Sequence, residues 1–500
     1  MLTLKAALMR YPRPIFSATP LAFLLSFLLL ITACNKTDDD TKIIIEPASN
    51  AKKNKVVTFV TLNSPNTYYV DGNKEFAGLE YDLATLFVKD LGNDTQLKLI
   101  VANNINQVIS TILKHKADIA AADVTVTKDR KELIDFSVDY QDVQQLVVYN
   151  IEKNKAEQKK PPKQLKDLVG LHISLPANSS FVERLSKLQT TEPGLMWEEH
   201  LHVGSEELLQ ELERGEIDYT IADSHLVSIM QNYYPQLGVA FALGEPEKIA
   251  WAMPKNRNPE LQQKVNAFFN RIKKDGTLRN LLDRYHGNVK RLKPVDIQTF
   301  LIRSRTLLPK YKRLFQQAQE VTDLDWRLIA ALSYQESHWD TFNTSPTNVR
   351  GLMMLTESTA DLMKVTDRLD PKQSITAGAK YINMLKETIP ERVPEPDRTY
   401  MALASYNIGY AHVEDARVLA QRLKLDPNRW ADVKKTLPML SNPTYYVNAK
   451  YGYCGCGQPV VFVESIRSYY NILARFEPGY DADENSFKIA SADNFKGGDF

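Results

Sequence analysis

Cysteine is scarce in this chain of 500 residues, which contains only Cys34, Cys454 and Cys456. A zinc cluster of the four-cysteine kind needs a second close pair of thiols, and the sequence offers none besides Cys454 and Cys456. That pair could form a strained disulfide or half of a metal site, and we expect it to be structural or incidental. The sequence shows no metal-binding or nucleotide-binding motif, so we expect no metal and no cofactor.

An excess of charge of either sign is also lacking. The chain has 62 basic and 61 acidic residues, and loss of an amino-terminal segment with Lys5, Arg10 and Arg13 would leave 59 basic residues against 61 acidic ones. This balance excludes the broad basic surface with which proteins bind nucleic acid. A hydrophobic content of 43% and a charged content of 25% are typical of a globular protein with about two to four domains.

The amino terminus lacks an apolar run of membrane-spanning length. Residues 21–31 are almost all apolar, but they are too few for a permanent helix and they follow basic residues, as in an export signal. The sequence Ile31-Thr32-Ala33-Cys34 resembles a bacterial lipobox. The resemblance implies a signal peptide at 1–33, a lipid anchor on Cys34 and, because Asn35 follows, the periplasmic face of the outer membrane. An ordinary signal with an incidental cysteine is the alternative, and we expect the polar residues 34–55 to be a tether.

Strand and helix patterns alternate over residues 56–288. β-rich runs at 56–60, 97–101, 171–175 and 219–222 are separated by helical patterns such as 81–91. This alternation predicts a two-lobed α/β domain with mainly parallel strands and a cleft between the lobes. Strand signals fade by 309, and charged residues and Pro294 interrupt the pattern between Gly287 and Pro309. We therefore predict a linker at 289–308, an all-α domain at 309–477 and a polar tail at 478–500.

Three segments of the first domain carry a resemblance. Residues 78–83 (Gly-Leu-Glu-Tyr-Asp-Leu), 127–137 and 215–223 (Gly-Glu-Ile-Asp-Tyr-Thr-Ile-Ala-Asp) resemble periplasmic solute-binding proteins that capture amino acids. The resemblance covers about residues 55–288. It implies a periplasmic-binding-protein-like fold and a muropeptide or amino-acid effector in the cleft.

Arg130 and Asp223 are the candidate charged groups of that effector site. A guanidinium offers paired donors that match a planar carboxylate, so Arg130 is the candidate clamp, and Asp223 would receive an ammonium group. The alternative for Arg130 is a surface ion pair with Asp135 or Glu132. Further candidates are four hydrogen-bond donors and one residue that would form an aromatic wall: Thr125, Thr127, Ser179, Ser180 and Tyr68.

Glu336 lies on the apolar face of a predicted helix in the second domain. Counting back by three and four residues gives Ser333, Leu332, Ile329 and Trp326, so the carboxyl should point inward. Apolar surroundings disfavour the charged form and raise the pKa of a carboxyl toward that of a general acid at neutral pH. The alternative is an inward glutamate that simply meets an arginine.

Two motifs follow Glu336-Ser337: Gly351-Leu352-Met353-Met354-Leu355-Thr356 and Ala404-Ser405-Tyr406-Asn407-Ile408-Gly409. In this order they resemble the lysozyme-like domain of lytic transglycosylases. The resemblance implies that peptidoglycan glycan strands are the substrate and that Glu336 is the single acid and base. It assigns the substrate contacts to Ser337, Gly351, Met353, Tyr406 and Asn407.

The resemblance also implies the products. The N-acetyl group of the substrate would attack its own anomeric carbon, and a 1,6-anhydromuramic end would form without water. Asp340 is the nearest alternative acid, but its place at the predicted helix end favours a solvated or capping role. Two other functions stay open: an amino-acid or peptide receptor with a non-catalytic, wall-binding helical domain, and a hydrolase of the lysozyme kind.

Overall fold

The computed structural model describes residues 42–45, 55–71, 75–288, 292–345 and 349–481. The predicted signal peptide, the lipid anchor at Cys34, most of the tether and most of the tail lie outside these ranges. A bilayer-spanning helix, which needs both length and an apolar surface, does not occur within them.

The amino-terminal part contains two sheets, one in each lobe. The first has the order β1-β5-β2-β6-β15-β7, and the second has the order β11-β10-β12-β9-β13. The strands are, in chain order, β1 Lys42–Ile45, β2 Lys55–Leu62, β3 Tyr69–Val70, β4 Phe76–Ala77, β5 Thr95–Ala102, β6 Ile119–Ala120, β7 Ile134–Phe136, β8 Gln141–Val143, β9 Gln145–Asn150, β10 Ile173–Pro176, β11 Glu198–His200, β12 Tyr219–Asp223, β13 Leu237–Ala242, β14 Glu247–Ile249 and β15 Ala252–Pro254.

The two sheets are mixed and not mainly parallel as predicted: among their described strands, four pairs are parallel and five are antiparallel. Strand β2 runs parallel to β5 and β6, and β10 runs parallel to β11 and β12. Central parallel strands are buried on both faces, which explains the near-continuous apolar runs of these segments. The chain crosses between lobes twice, beside the antiparallel ribbon of β8 and β14, so a cleft lies between two lobes joined at one place.

Nine helices are described before residue 289 and ten after residue 291. They are α1 Leu79–Leu91, α2 Ile105–Leu113, α3 Lys128–Leu133, α4 Ile151–Ala156, α5 Ser180–Leu188, α6 Ser205–Glu213, α7 Ser224–Gln231, α8 Pro259–Lys274, α9 Thr277–His286, α10 Pro294–Thr306, α11 Leu308–Thr322, α12 Trp326–Ser337, α13 Glu357–Leu362, α14 Pro371–Thr388, α15 Asp397–Ile408, α16 Tyr410–Arg422, α17 Trp430–Thr436, α18 Pro443–Tyr446 and α19 Gln458–Phe476. Single turns of 3₁₀ helix occupy Leu165–Leu168 and Pro438–Ser441. The predicted fold class, a two-lobed α/β part followed by an all-α part, is confirmed.

Helix α12 lies at the centre of the helical part. It packs against α11, α14 and α19, and its side chains are buried around nearly the whole circumference. Trp326 and Tyr334 are among the largest buried side chains. The residues that precede the carboxyl of Glu336 on its helical face are therefore part of the main core.

The segment predicted to be a linker is largely helical. Helix α10 fills most of it, and the fully buried Phe300 packs against Tyr334 and Tyr469 with ring centroids 4.6 and 4.5 Å apart. We interpreted Pro294 as an interruption, but proline is favourable in the first turn of a helix, where its missing N–H needs no partner. Within the predicted tether, β1 pairs with β5 at the edge of the first sheet.

A buried ionic cluster joins α9 of the α/β part to the helical part. Arg467 on α19 is 3% exposed, contacts Glu464 at 2.7 Å, and donates to the carbonyl oxygens of Asp283 and Arg284 at 2.9 and 3.0 Å. These carbonyls belong to the last turn of α9, where the helix dipole favours a cation. Lys434 bonds the Asp283 carboxylate at 2.5 Å, so the end of α9 is fixed on both sides.

Arg467→Ala should therefore destabilise the whole chain. It leaves buried carboxylates with less compensation, and the loss of one partner of a buried ion pair costs about 3 to 5 kcal/mol. Chemical unfolding of the full-length chain measures this loss. The control is Arg271→Ala, which removes half-exposed pairs with Asp90 and Asp275 and should cost about 0 to 1 kcal/mol. Equal effects of the two variants would contradict the prediction.

Candidate functional site

Helix α12 positions Glu336 one residue before its carboxyl end. The helix begins after Asp325, whose side chain accepts from the N–H of Arg327 at 2.9 Å, and ends at His338, which has a left-handed backbone. Glu336 therefore lies at the edge of the core, and the residue is only partly exposed.

The Glu336 carboxyl has no charged partner to offset its burial. Burial raises its pKa to about 8 from the ordinary value of 4.5. Among the described residues, no ion pair or hydrogen bond involves this side chain. The predicted inward orientation agrees with this geometry, and the arginine partner of the alternative interpretation is not found there. A carboxyl with this pKa carries a proton at pH 7 and can donate it.

The turn at 351–355 lies directly against helix α12. The hydroxyls of Ser333 and Ser337 both donate to the carbonyl oxygen of Leu352, at 3.1 and 2.9 Å. The hydroxyl of Tyr406 donates to the carbonyl oxygen of Met353 at 2.7 Å. These three bonds bring the motifs around 336, 351 and 406 into one site.

Gly351 is required at the start of this turn. Its φ of +81° lies in the left-handed region, which glycine adopts without the strain that a Cβ would add. A Cβ would also collide with the carbonyl oxygen of Arg368. Glycine is therefore needed here because its backbone packs closely against the backbone of Arg368.

The predicted substrate residues divide into two groups. Ser337 is 1% exposed and its hydroxyl is bonded within the core, so it positions the turn. Met353 is 0% exposed and packs over Gly378; the prediction that its side chain contacts substrate is wrong, because the turn directs that side chain inward. Tyr406 is partly exposed beside Glu336, and Asn407 is exposed.

Asp340, just after α12, and the tyrosines in and after α18 have the following environments. Asp340 is exposed and accepts from the N–H of Phe342 at 3.0 Å, a turn-capping contact. The rings of Tyr446 and Tyr453 are 5.6 Å apart, and Tyr453 is 64% exposed. Tyr445 packs against the core.

A second site lies in a cavity between the lobes of the α/β part. The predicted residues that line it are Thr125, Arg130, Ser179, Ser180 and Asp223. Arg130 is 6% exposed; it contacts Glu183 at 3.0 Å and donates to the carbonyl oxygens of Thr125 and Asn178. Neither Asp135 nor Glu132 is its partner, so the surface ion pair of the alternative interpretation is wrong.

Two predicted residues do not line this cavity. Tyr68 is 3% exposed and packs against Phe76 and Tyr81 in the core of the first lobe. The hydroxyl of Thr127 accepts from the N–H of Arg130 at 3.1 Å and caps α3. The aromatic wall predicted at Tyr68 and the donor predicted at Thr127 are therefore not found in the cavity, because packing and helix capping use these side chains.

The cavity also contains acids that we did not predict, among them Asp123 and Glu206. Asp123 follows β6 and contacts the ring of His225; its place after a strand end is the available sequence signal. Burial raises the pKa of Asp223, and Asp123 adds to the rise, while His225 and Arg130 oppose it. The cavity therefore favours a ligand that brings positive charge.

The pKa of Glu336 predicts a pH-dependent difference in stability. The folded chain holds the Glu336 proton between pH 4.5 and about 8, whereas the unfolded chain loses it, so wild-type stability falls as pH rises through this window. Glu336→Gln lacks this loss. It should be more stable than the wild type at about pH 8, by on the order of a few kcal/mol, and equal to it near pH 4.

Thermal unfolding of the full-length chain at a series of pH values measures this difference. Asp340→Asn is the matched control: Asp340 is exposed, and this variant keeps Glu336, so its stability should follow that of the wild type across the pH series. A Glu336→Gln variant that is no more stable than the wild type at high pH would show that the carboxyl is not buried in an apolar site.

Comparison with known proteins gives two domain matches. The family of bacterial extracellular solute-binding proteins, family 3, matches residues 56–288, and the transglycosylase SLT domain matches residues 313–427. A solved structure, an ancestral arginine-binding protein bound to arginine, covers 47% of this chain and 99% of its own, with 23% identity and a TM-score of 0.40.

Relatives of nearly the same length carry both domains together. A protein from Methylobacillus flagellatus named membrane-bound lytic murein transglycosylase F is 54% identical over 95% of this chain and 97% of its own. A protein of the same name from Nitrosospira multiformis is 45% identical over 86% of this chain and 87% of its own. The chain therefore belongs to the family of membrane-bound lytic murein transglycosylase F, and it is a transglycosylase with a solute-binding-like domain.

Proposed function

We propose that Glu336 cleaves the β-1,4 bond between N-acetylmuramic acid and N-acetylglucosamine in peptidoglycan by transglycosylation. The observation that carries this proposal is a single carboxyl with a pKa of about 8 and no charged partner among the described residues. Most glycosidases need a second carboxylate as nucleophile or base. Asp340 is exposed and engaged in a turn, so it does not supply one.

The substrate supplies the nucleophile in this mechanism. The N-acetyl oxygen of the muramic acid residue attacks the anomeric carbon while Glu336 donates its proton to the departing glycosidic oxygen. The Glu336 carboxylate then removes the proton from the C6 hydroxyl of the same sugar. The C6 oxygen bonds to the anomeric carbon, the N-acetyl oxygen leaves it, and Glu336 regains a proton without use of water.

The surrounding residues have separate tasks in this proposal. Ser337 and Tyr406 hold the turn at 351–355 through the carbonyls of Leu352 and Met353. Asn407 is exposed and is the candidate for direct hydrogen bonds to the sugar. The two contact residues of the motif thus differ: Tyr406 acts through the turn, and Asn407 faces the solvent side.

Product analysis of digested peptidoglycan tests the reaction. We expect 1,6-anhydromuramic ends from the wild type, and Glu336→Gln should reduce turnover by about 10²- to 10⁴-fold because it cannot donate a proton. Asp340→Asn is the matched carboxyl control and should keep most activity. Reducing ends would favour the lysozyme-type hydrolase, and absence of digestion by the wild type would favour the receptor.

We further propose that the cavity between the lobes binds a cell-wall peptide as an effector. Such a peptide has a carboxylate for Arg130 and an amine for Asp223. Three of the five guanidinium N–H groups of Arg130 are used by Glu183, Thr125 and Asn178, which leaves two that can meet a carboxylate. The other acids of the cavity, Asp123 and Glu206, are paired with His225 and Arg475, so Asp223 is the candidate acid for the amine.

Calorimetric titration of the full-length chain with purified muropeptides tests this proposal. Asp223→Asn should weaken binding by at least about tenfold. Glu132→Gln is the control, since it makes a similar charge change at an exposed residue outside the cavity. If muropeptides neither bind nor alter the rate of glycan cleavage, the effector role is wrong.

We propose that Cys34 carries the lipid that attaches the chain to the outer membrane. The supporting observation is the apolar run at 21–31 followed by Ile31-Thr32-Ala33-Cys34. Cell fractionation should find the wild type in the outer-membrane fraction and Cys34→Ser outside it. A serine variant that stays in that fraction would contradict the anchor.

A further inference from the structure

Cys454 and Cys456 meet a third metal-binding side chain in the folded chain. The two cysteines form a disulfide and are 6% and 0% exposed. A ring nitrogen of His412 and both sulfur atoms lie within 4.8 Å of one another. The sequence offers no second cysteine pair near these thiols, but the fold supplies an imidazole from α16.

The Nδ1 atom of His412 is buried and makes no hydrogen bond among the described residues. A buried polar atom without a partner is unfavourable, and such atoms in native proteins call for an explanation. Thiolate sulfur and imidazole nitrogen are together the preferred ligands of soft and borderline d¹⁰ cations. The His412 ring is thus available to a cation whose other two ligands would be the sulfurs.

The fold, and not only the Cys-Gly-Cys spacing, builds this arrangement. The carboxylate of Asp415 on α16 accepts from the N–H groups of Lys450 and Tyr451 at 3.0 and 2.9 Å. The N–H of Cys454 donates to the carbonyl oxygen of Leu440 at 3.1 Å. The two bonds to Asp415 hold the segment before the cysteines against α16, so this segment is positioned independently of the sulfur atoms.

We propose that reduction of this disulfide creates a binding site for one Zn²⁺ or Cu⁺ ion, formed by Cys454, Cys456 and His412. A dithiol reductant supplies two electrons and two protons; the S–S bond breaks, two thiols form, and the reductant becomes a disulfide. The cation then replaces the two thiol protons, which pass to solvent, and forms two sulfur bonds and one nitrogen bond. Disulfide and metal exclude each other, because both use the same sulfur atoms.

The metal-bound state would tie this surface segment to α16 through His412, whereas the disulfide joins two residues of the segment itself. Tyr451 and Tyr453, 49% and 64% exposed, lie within or beside this segment, between α18 and α19. The bound cation would therefore fix a tyrosine-bearing surface of the helical part to α16. A three-ligand site also leaves one position of a tetrahedral zinc ion open.

Metal titration of the full-length chain tests the proposal. The protein is reduced with dithiothreitol, freed of it without oxygen, and titrated with Zn²⁺ and separately with Cu⁺ against a chromophoric chelator. We expect one ion per reduced chain and none at this site in the oxidised chain. Cobalt(II) bound in place of zinc should show thiolate-to-metal charge-transfer absorption.

Two variants identify the ligands. The double variant Cys454→Ser, Cys456→Ser should lose the site and the cobalt absorption, and His412→Ala should weaken binding by at least about tenfold. Cys34 is present in every variant, so binding that survives the double substitution belongs elsewhere and overturns the proposal. Unchanged affinity in His412→Ala also overturns it, and the unfolding midpoint of each variant confirms that it is folded.

Discussion

Burial of one unpaired carboxyl is the constraint on which the helical part depends. Glu336 stands at the end of α12, where burial raises its pKa to about 8. A buried carboxyl is unfavourable in its ionised form. The surrounding core must therefore keep the side chain from turning out to solvent. Three features do so: the large buried side chains of α12, the enclosing helices α11, α14 and α19, and the serine hydroxyls that fix the turn at 351–355.

The two polar sites of the molecule differ in how far their buried charges are compensated. In the cleft between the lobes, Arg130 meets Glu183 and Asp123 meets His225, so most charges are compensated and Asp223 is left to attract a cation. Near Glu336 the described residues offer no opposite charge, so the carboxyl keeps its proton and can donate it. Helix α19 connects the two parts physically, since it packs on α12 and carries Arg467, which holds the end of α9.

Several particular residues show why sequence reasoning succeeded or failed. Glu336 could be predicted because a helical face repeats every three to four residues, so its inward direction follows from local geometry. The inward direction of the Met353 side chain could not be predicted. In a turn this direction depends on how the left-handed Gly351 and the neighbouring α14 place the side chain. Pro294 suggested a break, although its position relative to the start of a helix decides its effect. His412 and Cys456 are distant in sequence, and only packing of the intervening segment brings them together.

The sequence by itself determined the order of the parts, the α/β and all-α classes, and the candidate acid, because these follow from periodicity and from motifs carried by short segments. Tertiary structure decided which motif residues serve the core instead of lining a cavity, for Tyr68, Thr127, Ser337 and Met353 alike. It also decided the raised pKa of Glu336 and the meeting of His412 with the cysteines. The physical reason is the same in each case: burial and contact depend on elements far apart along the chain, which no local pattern records.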